Sequence, residues 1–593
     1  MEHQVDLAEY LFTRLAQLGL GSVHGVPGDY NLHALDYIQP AGLQWVGNAN
    51  ELNAGYAADG YARIKGIGAL ITSYGVGELS AINAVAGAYA EMAPVVHIVG
   101  TPPLAAQKVN ACLHHSLGNG NLRVFADMYK SVTVAQANLN DPSKAARSID
   151  ATLRECLLQS RPVYIEMPID MVQTKVSRPS AALDFSIPSL NGINAPNEDR
   201  IVNMIFNNIQ NAKRFMILVD GFTDRFQISE EVNELVKRTK CPTLTTPFGK
   251  SIVEEDLPNF HGIYFGSAGE PKHHSWVQSC DLAIRFGPLE AEVNTFGFTA
   301  KPPSDATITF HKFAVSYTEN GEEIYQPVDI KSVLERLLRK LKEATLPTFE
   351  SFPPNNGHPG VLLKALPAPD EAAVVDQYTF WLHMSRFFRP GDIILTETGT
   401  SSSGGQSFVL PNNTTLINSS IWLSIGYTLA ASQGASLAQR EMAREGSRPD
   451  GRVILFEGDG SLQMTAQAIS DIIRNRLDVV MFVLNNNGYT IERLIHGYDA
   501  GYNDIQPWRH LDAPRFFGAR EDDPSYPVRT FRASNWGEMA AVLRDEEVVR
   551  GKGLVMVEVM MDMSDAPESL KKTIADVQRR NAGNRTVAEV ETH

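Results

Sequence analysis

Cysteine is scarce in this 593-residue chain and widely spaced. Cys112, Cys156, Cys241 and Cys280 form no C-x-x-C pair, which excludes a disulfide framework and a thiolate zinc site and fits a reducing compartment. Long apolar runs are also missing, since no stretch approaches the roughly 18 apolar residues that a membrane-crossing helix needs. The opening Met1-Glu2-His3-Gln4-Val5-Asp6 has neither the basic nor the apolar region of a secretory signal. These absences predict a soluble, cytoplasmic protein. Positive charge is in deficit: 52 Lys+Arg against 68 Asp+Glu leave a formal charge of -16, which disfavours nucleic acid or an anionic membrane as the main partner. There is no short-period repeat and no low-complexity tract.

What is present reads as an acidic globular enzyme too long for one core, with about three or four domains expected from its length. Pro179 to Asp199 and Leu346 to Asp370 are rich in Pro, Ser, Asn and Gly and read as linkers. Around them, strand-like apolar runs alternate with helical stretches. The runs are Ala69 to Thr72, Val95 to Val99 and Val163 to Glu166, then Met216 to Val219 and Leu282 to Arg285, then Ile393 to Thr396, Val453 to Phe456, Val479 to Leu484 and Val555 to Val559. The pattern predicts an α/β protein of three consecutive parallel-sheet domains, over 1–180, 198–345 and 370–565, followed by a helical tail over 566–593.

The most informative stretches are Phe456-Glu457-Gly458-Asp459-Gly460-Ser461 and Asn485-Asn486-Asn487-Gly488. Each follows a nearly uninterrupted apolar run, and the segment from Leu462 to about Arg474 has helical composition, so the reading is strand, turn, helix, parallel strand. Both turns then leave the carboxyl ends of strands about 5 Å apart, where the Asp459 carboxylate and the Asn486 carboxamide can converge on one point. Two such oxygen ligands suit Mg²⁺, while the glycines and a helix opening at Ser461 suit a diphosphate. Asp-Gly and Asn-Gly are also the strongest short hairpin signals, but the apolar runs lack the alternation of exposed hairpins. In the first domain, Glu51 opens an Ala-rich helix running to Arg63; by itself it reads as a first-turn acid that complements the helix dipole.

Seven blocks together resemble thiamine-diphosphate-dependent 2-oxo acid decarboxylases, and among them look most like the fungal pyruvate decarboxylases. They are Gly25-Val26-Pro27-Gly28-Asp29-Tyr30-Asn31-Leu32, the Glu51 block, Leu113 to Gly120 with its His114-His115 doublet, Glu397-Thr398-Gly399-Thr400-Ser401, Trp422 to Tyr427, the Asp459/Asn486 cradle, and Tyr489 to Gly497. The resemblance runs from about Val5 to Leu570. It implies a pyrimidine-binding first domain, a middle domain and a diphosphate-binding third domain. It further implies a homodimer or homotetramer whose active sites lie where the first domain of one subunit meets the third domain of another.

The roles below are what the resemblance implies. Glu51 matches the glutamate that holds a proton on the cofactor's pyrimidine ring, and Ile425 the bulky residue that bends the cofactor. Asp459, Asn486 and the Gly488 carbonyl match the Mg²⁺ ligands. Thr398, Thr400, Leu423, Ser424, Gly460, Ser461, Tyr489, Thr490 and Ile491 match segments that hold thiamine diphosphate. Asp29, His114, His115 and Glu492 match a polar cluster for proton traffic. Val293, Ser402, Ser403, Ile491 and Ile495 fall at substrate-pocket positions. Taken singly, Asp29 reads as a turn residue after Pro27-Gly28, Glu492 as a solvated helix acid, and the adjacent histidines cannot share a face as an i, i+4 pair would. If Asp29 and Glu492 come close, one of them resists ionisation and can donate a proton.

Several positions depart from the family pattern. Ser402-Ser403-Gly404 stands where the pyruvate enzymes carry a bulky aromatic, and Val293 where they carry another, which implies a pocket for an acyl group bulkier than that of pyruvate, aromatic or branched. Leu218 to Phe222 lacks the cysteine, and Met92 replaces the histidine, tied to substrate activation in some fungal members. Leu423 replaces a glycine. Glu457 adds a charge where an apolar residue is expected, and nothing in the sequence accounts for it. Two other readings of the same cofactor chemistry are a carboligase making acyloins and a flavin-bearing synthase. A catalytically silent assembly protein is a third alternative, but it predicts loss of Glu51, Asp459 or Glu492, and all three are present.

Overall fold

The computed structural model describes residues 4–178, 195–520 and 522–581. Three large sheets follow one another along the chain, each sandwiched between helices. The first has six parallel strands in the order Gln44–Gly47, Ser22–Gly25, Gly68–Ser73, Val95–Thr101, Val163–Pro168, Gln136–Asn138. The third also has six, all parallel: Thr415–Ile417, Ile393–Thr396, Val453–Gly458, Val479–Asn485, Leu554–Met560, Val528–Ala533. Central strands such as Val479–Asn485 are buried along nearly their whole length because helices cover both faces, which is why they read as unbroken apolar runs.

The middle sheet corrects the expectation of wholly parallel sheets. Six of its seven strands point the same way, but Ala314–Glu319 runs opposite to them and pairs antiparallel with both Thr307–His311 and the edge strand Glu322–Pro327. The reason is local. Glu319 pairs with Glu322 across Asn320-Gly321, and both turn residues have positive φ (54° and 82°), the two-residue turn that matches strand twist. Here Asn-Gly does make a hairpin.

Two sequence expectations shift at their edges. The helix Ala195–Asn211 begins inside the stretch read as the first linker, whose residues 179–194 lie outside the described residues. The second linker holds a short helix, Pro359–Ala365, and the tail contributes the helix Glu568–Asn581, with 582–593 outside the described residues.

The first and third domains of one chain are joined by two long helices, Glu51–Lys65 and Tyr427–Glu445, packed face to face. Gly434 permits the approach, since a Cβ there would fall 1.8 Å from the Ala57 carbonyl oxygen. A buried ion network locks the same interface. Arg63 bonds Asp59 at 2.6 Å and Glu91 at 2.8 Å, and the Tyr427 hydroxyl donates to Asp59 at 2.5 Å.

Candidate active site

The cradle forms as the parallel register requires. Gly458 pairs with Leu484, so the turns that follow leave the same end of the sheet side by side. The helix expected from Ser461 begins two residues earlier, at Asp459, and breaks at Ala466-Gln467 before resuming as Ala468–Arg474. Asp459 is 2 % exposed. Its Oδ1 accepts the Gly460 N–H at 2.9 Å and its Oδ2 the Gly488 N–H at 3.0 Å. Burial pushes this carboxyl up to about 6, a cost that a cation beside it would offset.

The Asn486 carboxamide oxygen faces Asp459 Oδ1 at 3.0 Å and the Gly488 carbonyl oxygen at 3.1 Å, and its nitrogen faces the Thr490 hydroxyl at 2.7 Å. Three oxygens that close, with no hydrogen between them, repel unless a cation joins them. The two spacings match the edge of an octahedron with metal–oxygen bonds of about 2.1 Å, the distance at which Mg²⁺ holds oxygen. With no cation, turning the amide over would let its NH₂ donate to both oxygens. Gly488 has φ +124°, and a Cβ there would lie 2.5 Å from the Asn503 carbonyl oxygen, so only glycine presents its carbonyl here. Arg493, 3 % exposed, pins the turn from behind through the Asn487, Tyr498 and Asn503 carbonyls and Asp504.

Other expected cofactor residues gather around this end of the sheet. Thr398 carries a buried hydroxyl with no hydrogen-bond partner among the described residues, and Thr400 opens the helix Thr400–Gly405. Ser461 is packed in the diphosphate turn, its hydroxyl accepting the Gly458 N–H at 3.2 Å. Tyr489 packs against Gly460, and Ile491 leads the helix Thr490–His496. Leu423, Ser424 and Ile425 lie on a half-buried loop held by the first domain of the same chain: Ser424 accepts from the Tyr56 hydroxyl at 2.8 Å. Leu423 takes the left-handed conformation, φ 54°, that the glycine it replaces adopts without strain.

In the first domain, Glu51 sits at the start of its helix, capped by Asn50, whose side chain accepts from Asn53 N–H at 2.8 Å. Its carboxyl is half-buried and burial raises it above its usual range. Asp29, His114 and His115 form one cluster. His114 Nε2 lies 2.5 Å from Asp29 Oδ2 and His115 Nε2 3.9 Å from Asp29 Oδ1, while Tyr30 stacks on His114 with ring centroids 5.0 Å apart. The two histidines do face one point, as the family resemblance implied and the bare adjacency of the pair did not; a positive φ at His115 (64°) turns the chain so that both rings face Asp29. Glu492 stands exposed on the third domain, and no hydrogen bond or ion pair joins it to Asp29 among the described residues of one chain.

The pocket residues divide likewise. Ser402 and Ser403 lie half-buried, and the Ser403 carbonyl accepts from the Ser569 hydroxyl at 3.2 Å. Ile491 packs on Ala566, Leu570 and Ile574 of the tail, and Gln578 donates to the Ile495 carbonyl at 2.9 Å. The tail helix therefore covers this side. Val293 is exposed on the middle domain.

Comparison with known proteins agrees with this geometry. Residues 5–121 match the N-terminal TPP binding domain of thiamine pyrophosphate enzymes, 202–337 their central domain and 397–519 their C-terminal TPP binding domain. The chain belongs to the thiamine pyrophosphate enzyme family. It is 44 % identical to a pyruvate decarboxylase of Aspergillus parasiticus, over 98 % of this chain and 99 % of that protein. It is 43 % identical to one of Aspergillus fumigatus (97 % and 98 %) and 39 % identical to one of Candida albicans (98 % and 99 %). As a thiamine pyrophosphate enzyme it offers residues that fit the cofactor: a three-oxygen cation cradle at the mouth of two parallel strands, and a buried Thr398 hydroxyl with no hydrogen-bond partner among the described residues. Among the described residues no helix is long and apolar enough to cross a membrane.

The family's motifs left several supporting residues unread. Glu91, 1 % exposed, accepts at one oxygen from the Ser419 hydroxyl (2.6 Å) and from the Ser420, Ile421 and Trp422 N–H groups (2.8, 3.3 and 3.3 Å). It thereby holds the loop that leads into Leu423–Ile425. Glu397 accepts from Thr398 N–H at 2.7 Å and from Thr428 N–H and hydroxyl at 2.9 and 2.6 Å. No sequence spacing announces either role, because Thr428 lies 31 positions from Glu397 and the loop that Glu91 holds lies about 330 positions from it.

Proposed function

We propose that this enzyme decarboxylates a 2-oxo acid without oxidation, releasing CO₂ and an aldehyde, with thiamine diphosphate and Mg²⁺ held in the cradle. The convergence of the Asp459, Asn486 and Gly488 oxygens carries the reading. When bound, the cofactor supplies the electron sink that lets a carboxylate leave as CO₂. Asp459, Asn486 and the Gly488 carbonyl hold the metal, the Gly460 turn and Ser461 receive the diphosphate, and Ile425 sets the cofactor's bend. Glu51 holds a proton on the pyrimidine ring; its partial burial keeps the carboxyl basic enough to share that proton. Asp29, His114, His115 and Glu492 exclude bulk water and deliver the proton that completes the aldehyde.

The site is assembled from two copies of the chain. Glu51 and the Asp29 cluster of one copy meet Asp459 and Glu492 of another, which accounts for the exposure of the Asp29 cluster and of Glu492 in a single chain. The small residues Ser402 and Ser403 favour pyruvate or a bulkier aromatic or branched 2-oxo acid; Gly404 adds no room, because the Trp381 ring already abuts it. The test is CO₂ release across a panel of 2-oxo acids, with thiamine diphosphate and Mg²⁺ supplied. Turnover of at least one acid, lost on removal of either addition, is expected; Ser403→Phe should shift kcat/KM toward pyruvate. A panel with no cofactor-dependent CO₂ release would overturn the reading.

A further inference from the structure

Glu457 is fully buried two residues before Asp459, where its carboxyl has no evident use. Its surroundings supply one. The Ser461 hydroxyl donates to Glu457 Oε1, and the Gly458 N–H reaches the same oxygen at 3.3 Å. Its other oxygen, Oε2, lies 3.2 Å from Thr428 Oγ1; that hydroxyl gives its one proton to the nearer Glu397 at 2.6 Å, so in the 3.2 Å contact the neutral Glu457 carboxyl is the donor and Thr428 Oγ1 the acceptor. No lysine, arginine or histidine forms an ion pair with Glu457 or Glu397 among the described residues. The two buried carboxyls meet at one hydroxyl and between them touch three separate pieces of chain. Glu397 binds the Thr398 turn, Glu457 binds the diphosphate turn through Ser461, and both bind the start of the Tyr427–Glu445 helix at Thr428, three residues after Ile425.

We infer that Glu457 is a positioning residue: through Ser461 and Thr428 it fastens the diphosphate turn to the segment that carries Ile425, so that the two ends of the cofactor site keep a fixed separation. This rests on the cofactor reading above. An apolar side chain at 457 would cut this strap and leave the Thr465 hydroxyl on the Gly426 carbonyl, at 2.6 Å, to join the two segments. A carboxamide could keep it, its NH₂ reaching Thr428 or Ser461 and its oxygen the Gly458 N–H.

The full-length protein, freed of cofactor by chelation and dialysis, is titrated with thiamine diphosphate in excess Mg²⁺ by calorimetry, and the melting temperature of each cofactor-free variant is recorded. Glu457→Leu, which fills the volume, should raise Kd about tenfold, while Glu457→Gln should stay within about threefold of wild type. Ser461→Ala should weaken binding alone yet cost much less in the Glu457→Leu background, because the two share one strap. Wild-type affinity in Glu457→Leu, equal losses in Leu and Gln, or strictly additive losses with Ser461→Ala would each overturn the inference. Should Glu457→Leu not fold, Ser461→Ala and Thr428→Val decide, since neither losing affinity overturns it as well. Failure of the wild-type protein to bind thiamine diphosphate would instead sink the cofactor reading itself.

Discussion

Asp459 and Asp29 carry the same side chain on the two sides of the candidate site, in opposite conditions. Asp459 is 2 % exposed, gripped by two backbone N–H groups and aimed at two more oxygens of its own domain. The Asp29 side chain is 51 % exposed; it hydrogen-bonds His114 and faces His115 at 3.9 Å, and both rings are themselves open. A metal site must be preformed, since ligands left loose lose affinity to ordering entropy, so the chain completes it alone. Proton-handling groups can be finished by another surface, and on the proposed reading that surface is a second subunit.

The sharpest way to break this contrast is by complementation. Glu51→Gln should lower kcat by roughly 10²-fold or more with an unchanged melting temperature, and Asp459→Asn should abolish cofactor binding by calorimetry. Mixed heterodimers of the two variants should recover about half of wild-type activity, because one of their two sites then holds only native residues. No recovery would place both residues in the site of a single chain and end the contrast.

Next in size is the clamp that steadies the Ile425 loop. Glu91→Ala leaves Arg63 buried beside Asp59 alone and strips four donors of their acceptor. A loss of about 3–5 kcal/mol in urea unfolding is expected, with weaker cofactor binding. A cost under about 1 kcal/mol would show that the loop is held elsewhere.

Asp459 gives a smaller, pH-dependent effect. Its folded value of about 6 exceeds the ordinary 3.8, so in metal-free protein its charge destabilises the fold increasingly as pH rises from 3.8 to about 6, and the penalty is full above that. Mg²⁺ with cofactor removes the penalty. Their stabilisation should therefore be greater at pH 7.5 than at pH 5 by about 1 kcal/mol, read from melting curves at both pH values. An equal gain would mean that Asp459 does not face the cation. The smallest expected effect is at Leu423: Leu423→Gly relieves left-handed strain but adds unfolded-state entropy, so stability should move by less than about 1 kcal/mol.

Much of the fold was legible because parallel strands buried on both faces leave unbroken apolar runs, as at Val479 to Leu484. Short strands with polar or glycine residues in them, such as Ser22–Gly25 and Thr243–Thr245, went unread, whereas the equally short but wholly apolar opening of Ile393–Thr396 was legible. The antiparallel edge was missed although Asn320-Gly321 spells it, while Asn487-Gly488 carries the same pair and makes no hairpin. The dipeptide is decided by what flanks it. Met92 and Phe222 pack together with Phe248, Leu289 and Ala291 as ordinary apolar core.

By itself the sequence determined the three α/β units, the cation cradle and the chemical kinds of side chain at the site, because these depend on local pattern and on strand ends that register brings together. Only tertiary structure decided that His114 and His115 share Asp29, that Glu91 holds the Ile425 loop and that Glu457 has partners. Those facts join residues on separate turns or hundreds of positions apart. Their energy lies in buried hydrogen bonds, which exist only once the helices Glu51–Lys65 and Tyr427–Glu445 have closed the water out.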